Sequence, residues 1–196
     1  MEATRRWNSR YIAFIAIMGA LGNALFALSS QVLSIPGGIA GISLDLSNLG
    51  VVIAAVFGGC LAGATVGLIA GILPGIWFGY VVGGAGILAL IGLPVGKALT
   101  GLTIGFLCNY FKIFEVQRKS LKTVFIVLMG YIPEMLFTIL YFAALMPMFL
   151  GFFVGWIVIV SILVKAWTEM AVIGILAGGL VSNVEFISFL KKYFEV

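Results

Sequence analysis

Residues 42–73 read ISLDLSNLGVVIAAVFGGCLAGATVGLIAGIL, and beyond Asn48 this stretch contains no charged residue at all. A helix that crosses the hydrocarbon core of a bilayer needs roughly 20 predominantly apolar residues. The stretch divides at Gly58 and Gly59 into a short span over about 46–58 and a longer one over about 60–78. Gly59, Gly63 and Gly67 recur at every fourth position, which leaves one face of the longer helix nearly flat. Such faces let helices approach closely in lipid, where packing rather than hydrophobicity drives association.

The same pattern extends over the chain. It is 63% hydrophobic and 9% charged, with a mean hydropathy of +1.25, well above the roughly 45–50% apolar content of soluble domains. Apolar runs recur from Tyr11 to Val181 with no polar block large enough to fold separately, so residues 1–196 are expected to form one all-α membrane domain. The most economical division has six spans, at about 11–29, 46–58, 60–78, 86–110, 123–145 and 155–181. The second is short enough to need tilting or shielding by neighbours.

Charge sets the expected orientation. Arg5, Arg6 and Arg10 precede the first span, Lys112, Arg118, Lys119 and Lys122 fill the fourth connection, and Lys191 and Lys192 follow the last span. The positive-inside rule makes these places cytoplasmic. An even number of spans then puts both termini on that side of a multi-pass protein of the cell membrane. The basic N-terminus superficially resembles a signal peptide, but the run continues past Ala27 without a convincing cleavage site and reads as a retained first span. The net charge of +4 therefore expresses topology, not affinity for nucleic acid.

The composition also excludes chemistry. There is no histidine, hence neither the commonest general base nor the usual membrane metalloprotease motif. Cys60 and Cys108 lack a CxxC partner and read as buried free thiols, with no metal or cofactor implied. The only Gly-Lys pair, Gly96-Lys97, is followed by Ala98 and has Ile91 where a P-loop needs its first glycine. Any ATP-driven activity would need a separate subunit, and the chain itself is not expected to be an enzyme.

Against this background five ionisable residues stand out: Asp45, Lys97, Glu134, Lys165 and Glu169. Charges in membrane spans are costly and usually face a bundle interior, a cavity or a partner charge. Glu134 lies about 16 Å along the fifth span from Thr123, and Lys165 about 15 Å along the sixth from Gly155, at 1.5 Å per residue. Opposite charges at similar depth predict a Glu134–Lys165 pair that also holds a polar ligand, with Glu169, one turn from Lys165, as a competitor. Lys97 is expected near the outer end of its span, either snorkelling to the interface or projecting into the same cavity, and Asp45 at the start of the second helix, where Ser43, Asp45 or Ser47 would cap it. Tyr141 and Phe142, with other aromatic residues toward the outer ends, offer stacking surfaces for a planar heterocycle; Asn23, Gln31 and Asn48 offer amides. The apolar, glycine-punctuated connection from Ser29 to Asp45 is a candidate lid.

Ala16, Ala20 and Ala24 form a second flat face, on the first span. Internal packing and docking of another membrane protein are both open readings of such a stripe.

Taken together, the alanine stripe, the stretch 42–73 and the segment VGKALTGLTIGFL from Val95 resemble the substrate-binding S components of energy-coupling factor (ECF) vitamin transporters. The resemblance covers nearly the whole chain. It implies a six-helix protein that captures a vitamin-like micronutrient from outside, beneath the first loop and among the outer halves of the last three helices. Asp45, Asn48, Lys97, Glu134, Tyr141, Lys165 and Glu169 are the candidate ligand contacts. Ala16, Ala20 and Ala24 would dock on a transmembrane coupling subunit served by two ATPases. SLDLSNL is similar to the riboflavin-type subgroup, although Asn48 and Gly50 stand where an acidic residue and a proline are expected, so folate, pantothenate and other heterocycles stay open. A stand-alone channel or proton-coupled carrier using Glu134, Lys165 and Glu169 as a relay is the alternative.

Overall fold

A computed structural model describes residues 8–32, 45–82, 84–115 and 118–194. Among these the chain is all-helical, and five helices are long and apolar enough to cross a membrane. They are α1 (Ser9–Val32), α3 (Cys60–Val81), α4 (Gly86–Tyr110), α5 (Lys119–Leu150) and α6 (Trp156–Ser182). The expected second span is the shorter apolar helix α2 (Asn48–Gly58). Of the candidate lid from Ser29 to Asp45, the first residues as far as Val32 belong to α1, while 33–44, Ser43 among them, lie outside the described residues.

Helix α2 escapes the length requirement through its position. Every one of its residues except Leu49 is buried, so its ends meet protein instead of lipid. It sits against α1, α3, α4 and α6. A Cβ on Gly50 would come 2.5 Å from the carbonyl oxygen of Met18 on α1.

The glycine stripe of α3 is spent on α4. Gly63 lies against the carbonyl of Gly101, Gly67 against that of Lys97, and Gly71 against Pro94. A Cβ at position 67 would approach the Lys97 oxygen to 2.5 Å, so this seam closes only because small residues let the two backbones meet. The ladder of α3 is interrupted at Gly71, and α1 repairs the break. The Asn23 side chain donates to the Ile69 carbonyl at 2.9 Å and accepts from the Leu73 amide at 3.2 Å. Asn23 is therefore a structural bridge and not a ligand amide.

Helix α5 contains Pro133 and α4 contains Pro94. Each removes one backbone donor and loosens the preceding turn. Further irregularity follows in two π-helical turns, Trp77–Val81 at the end of α3 and Tyr141–Leu145 in α5. Both lie toward the same end of the bundle, and π-bulges re-aim the side chains around them.

A further helix follows α6. Asn183 accepts the Phe186 amide at 3.0 Å and starts α7 (Val184–Phe194), which turns back beneath the bundle. Phe186 meets Phe57 edge-on at 5.4 Å, and Arg10 donates to the Tyr193 carbonyl at 3.2 Å. The two thiols are free, with Cys108 buried as expected and Cys60 only partly so.

Candidate functional site

Between Gly50 and Ala62 on one side and Val181 on the other, the interior is closely filled: Val51, Val52, Ile104, Val127, Met170 and Ile173 are all fully buried. Toward the ends of α3 and α5 and the starts of α4 and α6, the packing opens into a cavity of about 330 Å³. This end is opposite to that bearing Arg10, Lys119 and Lys122. The volume is at the lower end of the roughly 300–1,000 Å³ typical of small-molecule sites.

The floor of the cavity is an ionic lattice. Lys97, midway along α4 and 1% exposed, donates to Asp45 Oδ2 at 2.7 Å, to Ser47 Oγ at 2.5 Å and to Asn48 Oδ1 at 3.3 Å. An ammonium group has three donors, and all three are used. Asp45 Oδ1 accepts the Ser47 amide at 2.9 Å and also the Ser47 hydroxyl. Its carboxylate therefore turns the chain into α2, although Ser47, the N-cap residue, makes no side-chain capping bond of its own. The Asp45 amide in turn donates to Glu169 Oε1 at 2.5 Å, and the same oxygen lies 3.4 Å from Lys165 Nζ. One lattice thus ties α6, the entry to α2 and α4 together at mid-bundle.

Two expectations are corrected by this arrangement. Lys97 lies midway along its helix and not near the outer end; of its two readings the structure takes the one in which it projects to the cavity, where it forms a buried pair with Asp45. The anticipated Glu134–Lys165 ion pair is absent among the described residues, because Lys165 turns along its own helix to Glu169, one turn away. Glu134 instead accepts the hydroxyl of Thr100 through Oε2. Its other oxygen lies over Gly96, where a Cβ would stand 3.6 Å away, and receives no hydrogen bond from the described residues.

Above this floor the walls are apolar and aromatic, with Phe78, Phe137, Phe142 and Phe152 among them. Tyr141 is packed on α4: a Cβ at Gly92 would come 2.6 Å from its ring carbon Cε2. Its ring also meets Phe142 edge-on at 5.0 Å. The residue is 7% exposed, and its hydroxyl has no hydrogen-bond partner among the described residues. A buried hydroxyl without a partner costs about 1–3 kcal/mol, which a polar ligand atom in the cavity would offset.

All seven candidate contacts, Asp45, Asn48, Lys97, Glu134, Tyr141, Lys165 and Glu169, are brought around this one cavity. Sequence reasoning missed Thr100, Tyr131 and Thr138. Thr100 was accessible in principle, since it follows Lys97 by three positions and shares its helix face. Tyr131 bears no such signal: its place follows from an edge-on contact with Trp167 at 5.5 Å, which in turn donates to Met135 Sδ at 3.3 Å. Gln31's side chain lies outside the described residues. No group of three or more metal-ligating side chains occurs among the described residues.

On α1 the two small-residue faces separate. Gly19 and Gly22 meet Ile69 and Ala70 of α3, whereas Ala16, Ala20 and Ala24 are all exposed. The alanine stripe is thus not used for packing among the described residues.

Comparison with protein-family models, curated proteins and solved structures returns no match. Among the described residues the chain is an all-helical bundle of membrane type, with five long apolar helices and one enclosed short apolar one.

Proposed function

We propose that this protein is the membrane-embedded, non-enzymatic substrate-binding subunit of an ATP-driven micronutrient importer of the ECF type. It takes up a vitamin-like small molecule in the cavity at the end of the bundle away from its basic residues. The alanine face of α1 then docks on a transmembrane coupling subunit that works with two ATPases. The observation that carries this reading is the floor of that cavity: among the described residues it is an ion-paired lattice backed by a filled apolar core, which gives a place to hold a solute rather than a passage through the bundle. Exposure of Ala16, Ala20 and Ala24 supports a partner-dependent delivery step.

The direct test is purification of the full chain followed by mass spectrometry of any small molecule it retains. Reconstitution then separates the two transport readings. Uptake into liposomes should require the coupling subunit and ATP. Flux by this chain alone would favour the stand-alone carrier instead. Replacing both Glu134 and Lys165 with alanine should lower affinity for the retained molecule, and unchanged affinity would remove the central site.

A further inference from the structure

The cavity's charges do not balance, and the residue left over is identifiable. Its lining contains three carboxyl groups, Asp45, Glu134 and Glu169, and two ammonium groups, Lys97 and Lys165. Geometry matches four of them: Lys97 with Asp45 at 2.7 Å and Lys165 with Glu169 at 3.4 Å. Lys97 cannot also serve Glu134, because its three donors are committed to Asp45, Ser47 and Asn48. Glu134 keeps only the neutral Thr100 hydroxyl. Among the described residues it is the one cavity acid without an ion pair.

We propose that the ligand is a small organic cation, an amine or similar charged nitrogen carried on an apolar or aromatic body, with its charge placed against Glu134. This rests on the ligand-binding reading above and narrows it. An unpaired carboxylate among largely apolar walls is costly, and a cation supplied by the ligand removes that cost on binding. The aromatic walls favour the same sign, since ring faces attract cations. Tyr141 gives an independent indication that the cavity awaits a polar group: nine-tenths buried, it lines the cavity with its hydroxyl unpartnered among the described residues. The hydroxyl would accept a second N–H of the ligand or donate to a ligand oxygen. A neutral isoalloxazine of the riboflavin type leaves Glu134 unpaired and is disfavoured.

The test uses three probes of similar size on the full-length protein in lipid nanodiscs: tryptamine, neutral 3-propylindole and indole-3-propionate. Binding is read by calorimetry and thermal shift. Tryptamine should bind about ten-fold or more tightly than either of the others, as expected for one charge-assisted contact. Glu134→Gln should erase that preference while leaving 3-propylindole binding within about two-fold, because glutamine preserves the acceptor for Thr100. Equal or tighter binding of the propionate, or an undiminished amine preference in Glu134→Gln, overturns the proposal but leaves the ligand-binding reading standing. The charge of any molecule extracted from the purified protein decides in the same way, an anion or neutral compound counting against the cation. Absence of both probe binding and a retained molecule overturns the two together. If Glu134→Gln does not fold, Glu134→Asp serves: it retains the charge, so the amine preference should persist, and its loss with intact folding would overturn the proposal.

Discussion

Lys97–Asp45 and Glu134 are neighbours in one cavity, yet they solve the problem of a charge in an apolar bundle in opposite ways. Lys97 is sealed, with each of its donors satisfied by the entry to α2. Glu134 faces the cavity with one hydroxyl partner and one open oxygen. Burying both members of a pair holds helices in register, whereas leaving one acid incomplete reserves binding energy for a molecule that arrives later. The lesson is that scarcity of charge marks both kinds of residue, and only partner geometry separates them.

That contrast breaks most severely at the sealed pair. Asp45→Ala strands a buried ammonium, a change that typically costs about 3–5 kcal/mol. The melting temperature in detergent should fall on the order of 10 °C, followed by tryptophan fluorescence. Adding Lys97→Met should recover most of the loss, since exchange of a buried pair for apolar groups is often neutral. A double variant no more stable than Asp45→Ala would show that the lattice does more than neutralise Lys97.

Tyr141→Phe should behave in the reverse sense. Its hydroxyl has no partner among the described residues, so deletion should leave stability unchanged or raise it by up to about 1 kcal/mol. Ligand affinity should nevertheless fall several-fold. A clear destabilisation without ligand would mean that the hydroxyl is satisfied within the protein. The half-open pair lies between these extremes: Lys165 keeps a side chain 20% exposed beside Glu169, and a double-mutant cycle with Lys165→Ala and Glu169→Gln should give a coupling of about 0.2–1 kcal/mol.

Length and hydropathy alone place the long helices: the span expected over residues 86–110 is Gly86–Tyr110, and that over 155–181 is Trp156–Ser182. The burial of α2 also follows from its shortness, because a helix too short to span must be shielded. Pairing is not legible in the sequence. Depth puts Glu134 and Lys165 together, but rotation about the helix axis decides which side chains meet, and Glu169, one turn from Lys165 on the same helix, wins that contact. Asp45 reaches Lys97 through a long-range fold contact that no local pattern announces. Nor do the fourfold glycine and alanine spacings reveal their different fates: Gly63 and Gly67 meet α4, whereas the alanines of α1 face outward.

Those alanines offer the smallest expected effect on the isolated protein and the sharpest distinction between packing and docking. Because Ala20 is exposed, Ala20→Leu adds bulk where no internal neighbour must move, and stability should change by no more than about 0.5 kcal/mol. Ligand affinity should likewise be unaltered, since Ala20 does not line the cavity. If the face docks on a coupling subunit, co-purification with that subunit and ATP-dependent uptake should both fail, because a leucine holds apart two backbones that small residues allow to meet. Gly22→Leu is the contrasting variant: it would drive into Ala70 and the Ser47 carbonyl and should impair folding before assembly can be asked about. Equal behaviour of the two variants would erase the distinction between the faces of α1; full assembly by Ala20→Leu would move the partner's contact elsewhere on the bundle.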